Sequence, residues 1–156
     1  MRKLKVYCAG AISDTNNLKV LENMRRGIRM STEVLLCGMA PFCPWIDYHF
    51  SLALRDGEVL TIEDYYQYSL AWLEAADVML VAEGWEDSIG TKAEIQRAHE
   101  LGKSIYYSLY ELVRACCNDI YANNQYINIW DLNMDYIGQH YPELACPRLF
   151  TGGCCE

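Results

Sequence analysis

The residues best placed to do chemistry in this 156-residue chain lie between Asp77 and Glu94, in the stretch DVMLVAEGWEDSIGTKAE. Val78 to Ala82 is a continuous apolar run of the kind that forms a strand buried on both faces. Glu83 to Ser88 reads as a polar loop. Gly90 and Thr91 then lead into a helix whose apolar Ala93, Ile95, Ala98 and Leu101 recur at roughly helical spacing, with Gly102 as its stop signal. The carboxyl end of a buried parallel strand and the start of the next helix frame the ligand crevices of open α/β sheets. Glu94 falls one turn into that helix and faces the loop, where a carboxylate can carry chemistry. The same position also suits a glutamate with no function, since the helix dipole favours an acid near the first turn.

Other elements must bring partners to that carboxylate. Leu4 to Cys8 predicts a first strand, ending in the small-residue turn Ala9-Gly10-Ala11-Ile12-Ser13 where a ligand can approach the backbone. Asn16 or Asn17 caps a helix to about Leu36, with Leu18, Leu21, Met24, Ile28 and Leu35 supplying much of a buried face. Met39 to Phe42 is a second strand, followed by Trp45 and Asp47, which can bind a base and a ribose hydroxyl. The plainer reading of Trp45 is a cover for the core edge. Residues 48–60 form a loop long enough to act as a flap. Thr61 to Asp64 resembles a capping box, and the helix it starts runs to about Ala76. Its Tyr65, Tyr66, Tyr68 and Trp72 read as packing rather than as a cofactor box. Ser104 to Tyr107 is a fourth strand and Leu109 to Cys117 a helix.

This β-α-β-α-β-α-β order predicts a flavodoxin-like or Rossmann-like α/β fold, an open parallel sheet of four to five strands with helices on both faces. Residues 1–117 form that domain. Residues 118–156 are an extension packed on it, with a turn at Ala122 to Gln125 and a fifth strand at Tyr126 to Trp130. A hydrophobic content of 52% supplies a full core. The net charge of -8 argues against a nucleic-acid partner. No apolar run has membrane length, and the N-terminus passes directly into a strand, so a cytoplasmic protein is expected. Its eight cysteines then read as free thiols. Cys116-Cys117 and Cys154-Cys155 are vicinal, which is poor zinc geometry, and although a zinc site can be argued from His140, Cys146, Cys154 and Cys155, no metal or cofactor is expected.

Taken together, KVYCAGAIS, SLAWLEAADVMLVAEGW and SIGTKAEIQRAHELGKSI resemble the nucleoside 2-deoxyribosyltransferase superfamily. The resemblance spans about residues 4–107, and Ser88-x-Gly90-x-x-x-Glu94 is its most specific part. It implies cleavage of the N-glycosidic bond of a nucleoside or nucleotide, the sugar passing to another base or to water. Breaking that bond develops oxocarbenium character, which a carboxylate can trap covalently. Glu94 matches the family nucleophile, and Tyr7 a tyrosine that orients it. Ser88 and the helix start at Gly90 would hold a 5′-hydroxyl or phosphate. Gly10, Ala11, Ile12, Trp45 and Asp47 would complete the substrate site, with Ser69, Trp85 and Asp87. A homodimer or higher homo-oligomer is implied as well.

Two departures qualify the match. Where the family has its aspartic general acid this chain has Ser69, so the proton must come from elsewhere, with Asp47 or Asp87 as candidates. Where nucleotide-hydrolysing relatives grip phosphate, this chain has Ala11 and Ser13 followed by Asp14, although Lys92 and Arg97 lie near in sequence. A non-catalytic nucleotide-binding module, or a sensor of a nucleotide-derived signal, is the alternative reading.

Overall fold

The computed structural model describes residues 3–121 and 132–144. Four strands, β1 (Lys5–Ala9), β2 (Ala40–Phe42), β3 (Val78–Val81) and β4 (Ser104–Tyr106), form one sheet in the order β2-β1-β3-β4. All three pairings are parallel, with Tyr7 opposite Phe42 on one side and Met79 on the other. Every strand therefore ends at the same edge. The crossovers leave β1 in one direction and β3 in the other, so a crevice opens between the carboxyl ends of β1 and β3.

The period of two in the strands sorts the core into two layers. Val6, Cys8 and Leu80 face α1 (Asn17–Leu36) and α4 (Leu109–Tyr121), whose Val34, Cys37, Leu112 and Val113 close over them. Tyr7, Ala9, Met79 and Val81 face α2 (Ile62–Ala75) and α3 (Ile89–Glu100), covered by Leu73, Ile95 and Ala98. Asp77 ties the far edge of the sheet together: its carboxylate accepts from the Lys5 N–H at 2.8 Å, and its own N–H donates to the Lys5 carbonyl at 2.9 Å. Among the described residues no helix is long and apolar enough to cross a membrane.

The expected α/β architecture is the one found, and several elements differ in detail. Asn16 is the cap of α1, but the buried face of α1 is Gly27, Ser31 and Val34, with Met24 and Ile28 at its margin. Leu18, Leu21 and Leu35 are exposed. Small residues face inward because an indole fills the space above Gly27. A glycine Cβ there would lie 2.1 Å from the Trp45 ring. Residues 48–60 are not one long flap, since Pro44–Ala53 winds into 3-10 helix from its first-turn proline. A helix the sequence did not announce, α5 (Met134–His140), is capped by Asn133. It buries Ile137 against the α1 and α4 layer. The expected turn at 122–125, the fifth strand at 126–130 and the cysteines at 146, 154 and 155 lie outside the described residues.

Candidate active site

The loops after β1 and β3, the start of the 3-10 helix, and the N-terminal turns of α2 and α3 enclose a crevice of about 540 Å³, within the range of small-molecule sites. Its acidic centre is built across the sheet. Tyr7 points to the α2–α3 face because Val6 and Cys8 take the other. Its hydroxyl donates to Glu94 Oε1 at 2.6 Å. The Tyr7 ring is fully buried and stacked on Phe42 at 5.3 Å between centroids. Burial, then the Glu94 carboxylate beside it, hold the phenol far above its ordinary range, so it remains a donor. Ser69 lies next to the same hydroxyl and partly offsets that shift. Burial pushes the Glu94 carboxyl up to about 7, against the opposing effect of the Tyr7 hydrogen bond.

Asp47 is the second carboxyl of the crevice. It sits in the first turn of the 3-10 helix, and burial pushes it up to about 6, with Tyr68 acting in the opposite sense. Its Oδ2 atom is buried and has no hydrogen-bond partner among the described residues. A carboxylate oxygen left bare in a dry wall is costly unless it carries a proton or meets a donor.

Ser88 caps α3. Its Oγ accepts from the Thr91 N–H at 3.2 Å and lies 2.9 Å from the Thr91 hydroxyl. Where Thr91 donates both bonds, the Ser88 proton is left for a ligand. The N–H groups of Ile89 and Gly90 start the helix and have no acceptor within it. A side chain at Gly90 would crowd the Tyr66 hydroxyl, 3.1 Å from an added Cβ.

Of the residues singled out from the sequence, Gly10, Ile12, Trp45, Asp47, Ser69, Asp87, Ser88, Gly90 and Glu94 border this crevice. Tyr7 lies beneath it and reaches it through Glu94. Ala11 contributes its carbonyl, which accepts from Trp45 Nε1 at 3.0 Å, and does not border the crevice. Trp85 is turned away, with its ring 5.7 Å from that of Tyr107. Trp45 is only 1% exposed and packs in the α1–α4 core layer. Its burial fits the core-edge reading, because an indole wedged this way offers no open face for a base. Arg97 is spent on Glu74 at 2.6 Å and Glu100 at 3.3 Å. Neither it nor Lys92 borders the crevice, and no lysine or arginine does so among the described residues.

Of the wall made by α2, sequence reading found Ser69 and missed the rest. Ile62, Tyr65, Tyr66 and Ser69 all border the crevice, so two of the tyrosines assigned to packing face the site instead. The Tyr65 hydroxyl meets that of Ser51 at 2.8 Å. A signal was available. Positions 62, 65, 66 and 69 continue through 73 and 76 as one helical stripe. Hydroxyls interrupt that stripe in its first half, while Leu73 and Ala76 are buried in its second.

Residues 4–107, from just before β1 to just after β4, match the family model described as a domain of unknown function, DUF4406. No curated protein matches the chain, and no solved structure does.

Proposed function

We propose that this chain, which belongs to the DUF4406 family, cleaves the N-glycosidic bond of a nucleoside through Glu94, as the resemblance to nucleoside 2-deoxyribosyltransferases implies. The observation that carries the reading is the 2.6 Å bond from Tyr7 to Glu94 at the floor of an open crevice. That bond fixes one carboxylate oxygen and favours the ionised form, leaving the other oxygen to attack the anomeric carbon. As the bond to the base lengthens, positive charge grows on the sugar beside a carboxylate in a poorly hydrated site. The ester that forms then passes the sugar to water or to a second base. Ser88 and the Ile89 and Gly90 N–H groups suit a 5′-hydroxyl. With Asp47, Asp87 and Glu94 on the walls and no cationic side chain among the described lining residues, a free nucleoside suits the crevice better than a monophosphate.

The test is incubation with a panel of nucleosides and 5′-monophosphates, with chromatography for free base. Glu94→Ala abolishes turnover, a loss equivalent to at least about 5 kcal/mol of transition-state stabilisation, while nucleoside binding survives. Full turnover in Glu94→Ala removes the proposed nucleophile.

A second reading, a nucleoside-binding module without turnover, is favoured by one observation. Ser69 occupies the position of the family's acid and lies beside Tyr7, and a serine is a poor proton donor. Tight binding with no base released by the wild type, and activity gained in Ser69→Asp, would establish it.

A further inference from the structure

The proton donor missing at position 69 has a counterpart elsewhere in the crevice. We propose that Asp47, from the 3-10 helix after β2, is the general acid that protonates the departing base, and in the second half-reaction the base that activates water. This rests on the glycosidic reading above and replaces the α2 acid that the resemblance would require.

Asp47 makes little structural sense alone. Asp47 Oδ2 is buried in the crevice wall without a hydrogen-bond partner among the described residues. A core built only for stability does not keep such an atom, because removing an acceptor from water without replacing its hydrogen bonds costs free energy. Protonation relieves that cost, and the resulting O–H points at whatever fills the crevice. Glu94 has its Oε1 fixed by the Tyr7 hydroxyl at 2.6 Å, which stabilises the anion. Burial pushes both carboxyls up, to about 7 for Glu94 and about 6 for Asp47. Each carboxyl has a tyrosine beside it that favours the anion, Tyr7 for Glu94 and Tyr68 for Asp47, so neither titration nor that bond separates the roles. The geometry does, because Asp47 alone keeps a buried oxygen, Oδ2, with no donor among the described residues. The two lie close enough that the Tyr7 phenol feels both carboxylates. Tyr68 and Cys43 are the other titratable groups that interact with Asp47.

The step balances. Glu94 forms a bond to the anomeric carbon, the C–N bond breaks with its electron pair moving to the base, and the Asp47 proton neutralises that base. Water then attacks the anomeric carbon of the ester. Asp47 takes its proton, the sugar leaves with a hydroxyl, and Glu94 is released as a carboxylate. Two carboxyl groups that divide nucleophile and acid roles are the arrangement of retaining glycosidases.

The experiment compares leaving groups. Asp47→Asn keeps the shape of the side chain and removes the transferable proton. Base release from nucleosides falls by about a hundredfold or more, while release of nitrophenolate from the corresponding nitrophenyl glycoside, whose leaving group needs no proton, falls far less. Glu94→Gln abolishes both reactions. Nucleoside binding by the Asp47→Asn protein, followed by calorimetry, reports that the crevice is intact. Equal losses on both substrates with binding preserved would overturn the role of Asp47 and leave the glycosidic reading standing. Lost binding would assign Asp47 to substrate recognition and equally remove the proposed role. A wild type that cleaves neither substrate brings down both proposals.

Discussion

At the scale of the residue, the Tyr7–Glu94 pair joins a buried phenol to a carboxyl that borders the crevice. A glutamate raised to about 7 from 4.5 is held against the preference of its own charge. The native state then binds a proton more tightly than the unfolded chain, so Glu94's contribution to stability is full below pH 4.5 and is lost as pH rises through about 7. Integrated over that window, the effect is on the order of 3 kcal/mol. Glu94→Gln, which still accepts from Tyr7, should lack this dependence. In urea unfolding at pH 5 and pH 8, the variant should gain on the wild type at the higher pH. Equal wild-type and variant profiles would show that Glu94 titrates normally. Position alone made Glu94 an ordinary first-turn glutamate. Only the resemblance supplied its partner Tyr7, 87 residues away, which the pairing of β1 with β3 brings beside it.

At the scale of the element, local signals were legible and facing was not. The capping box at Thr61 and Asp64 closes as its spacing suggests, and Gly102 adopts the left-handed conformation, with φ of 65°, expected after a helix end. Such motifs work over three or four residues, so the sequence carries them whole. The buried face of α1 depends on Trp45, a residue outside that helix, and hydrophobicity alone pointed to the wrong leucines. The α2 stripe was misassigned for a similar reason, because its tyrosines satisfy a packing rule and a lining rule equally well. Ser88 serves two purposes at once, as cap of α3 and as crevice wall. Ser88→Ala should therefore lower stability by about 1 kcal/mol, measured by chemical denaturation. It should also weaken binding of a nucleoside more than that of its 5′-deoxy analogue. Equal weakening of the two would confine Ser88 to the cap.

At the scale of the whole molecule, the order of strands and helices was readable because each parallel strand is a nearly unbroken apolar run followed by an amphipathic helix. The surface around the crevice mouth was not readable. Ile62 and Ile89, which border the crevice, stand more than 70% exposed, as do Leu52 and Val59, and Phe50 and Trp72, both against Tyr68, are about half exposed. Large apolar side chains exposed in this number form a surface that association would cover. The expectation is at least a dimer, checked by light scattering at micromolar concentration. Ile62→Glu should shift the mass toward the monomer with little change in far-ultraviolet circular dichroism. A wild type that runs as a monomer would leave this rim to another occupant.

The indole of Trp45 has a consequence for descent. Its ring approaches α1 at Gly27 and the end of β1 at Gly10, where an added Cβ would lie 2.1 Å and 2.8 Å from it. Its N–H reaches the Ala11 carbonyl. Three stretches far apart in the chain are thus inherited as one unit. A lineage that keeps the tryptophan must keep both glycines, and one that replaces it with a smaller side chain frees position 27 to drift, while position 10 stays held by the Ala82 methyl, 2.9 Å from an added Cβ. The order of change matters, because a methyl group gained at position 27 is tolerated only after the ring at position 45 has shrunk.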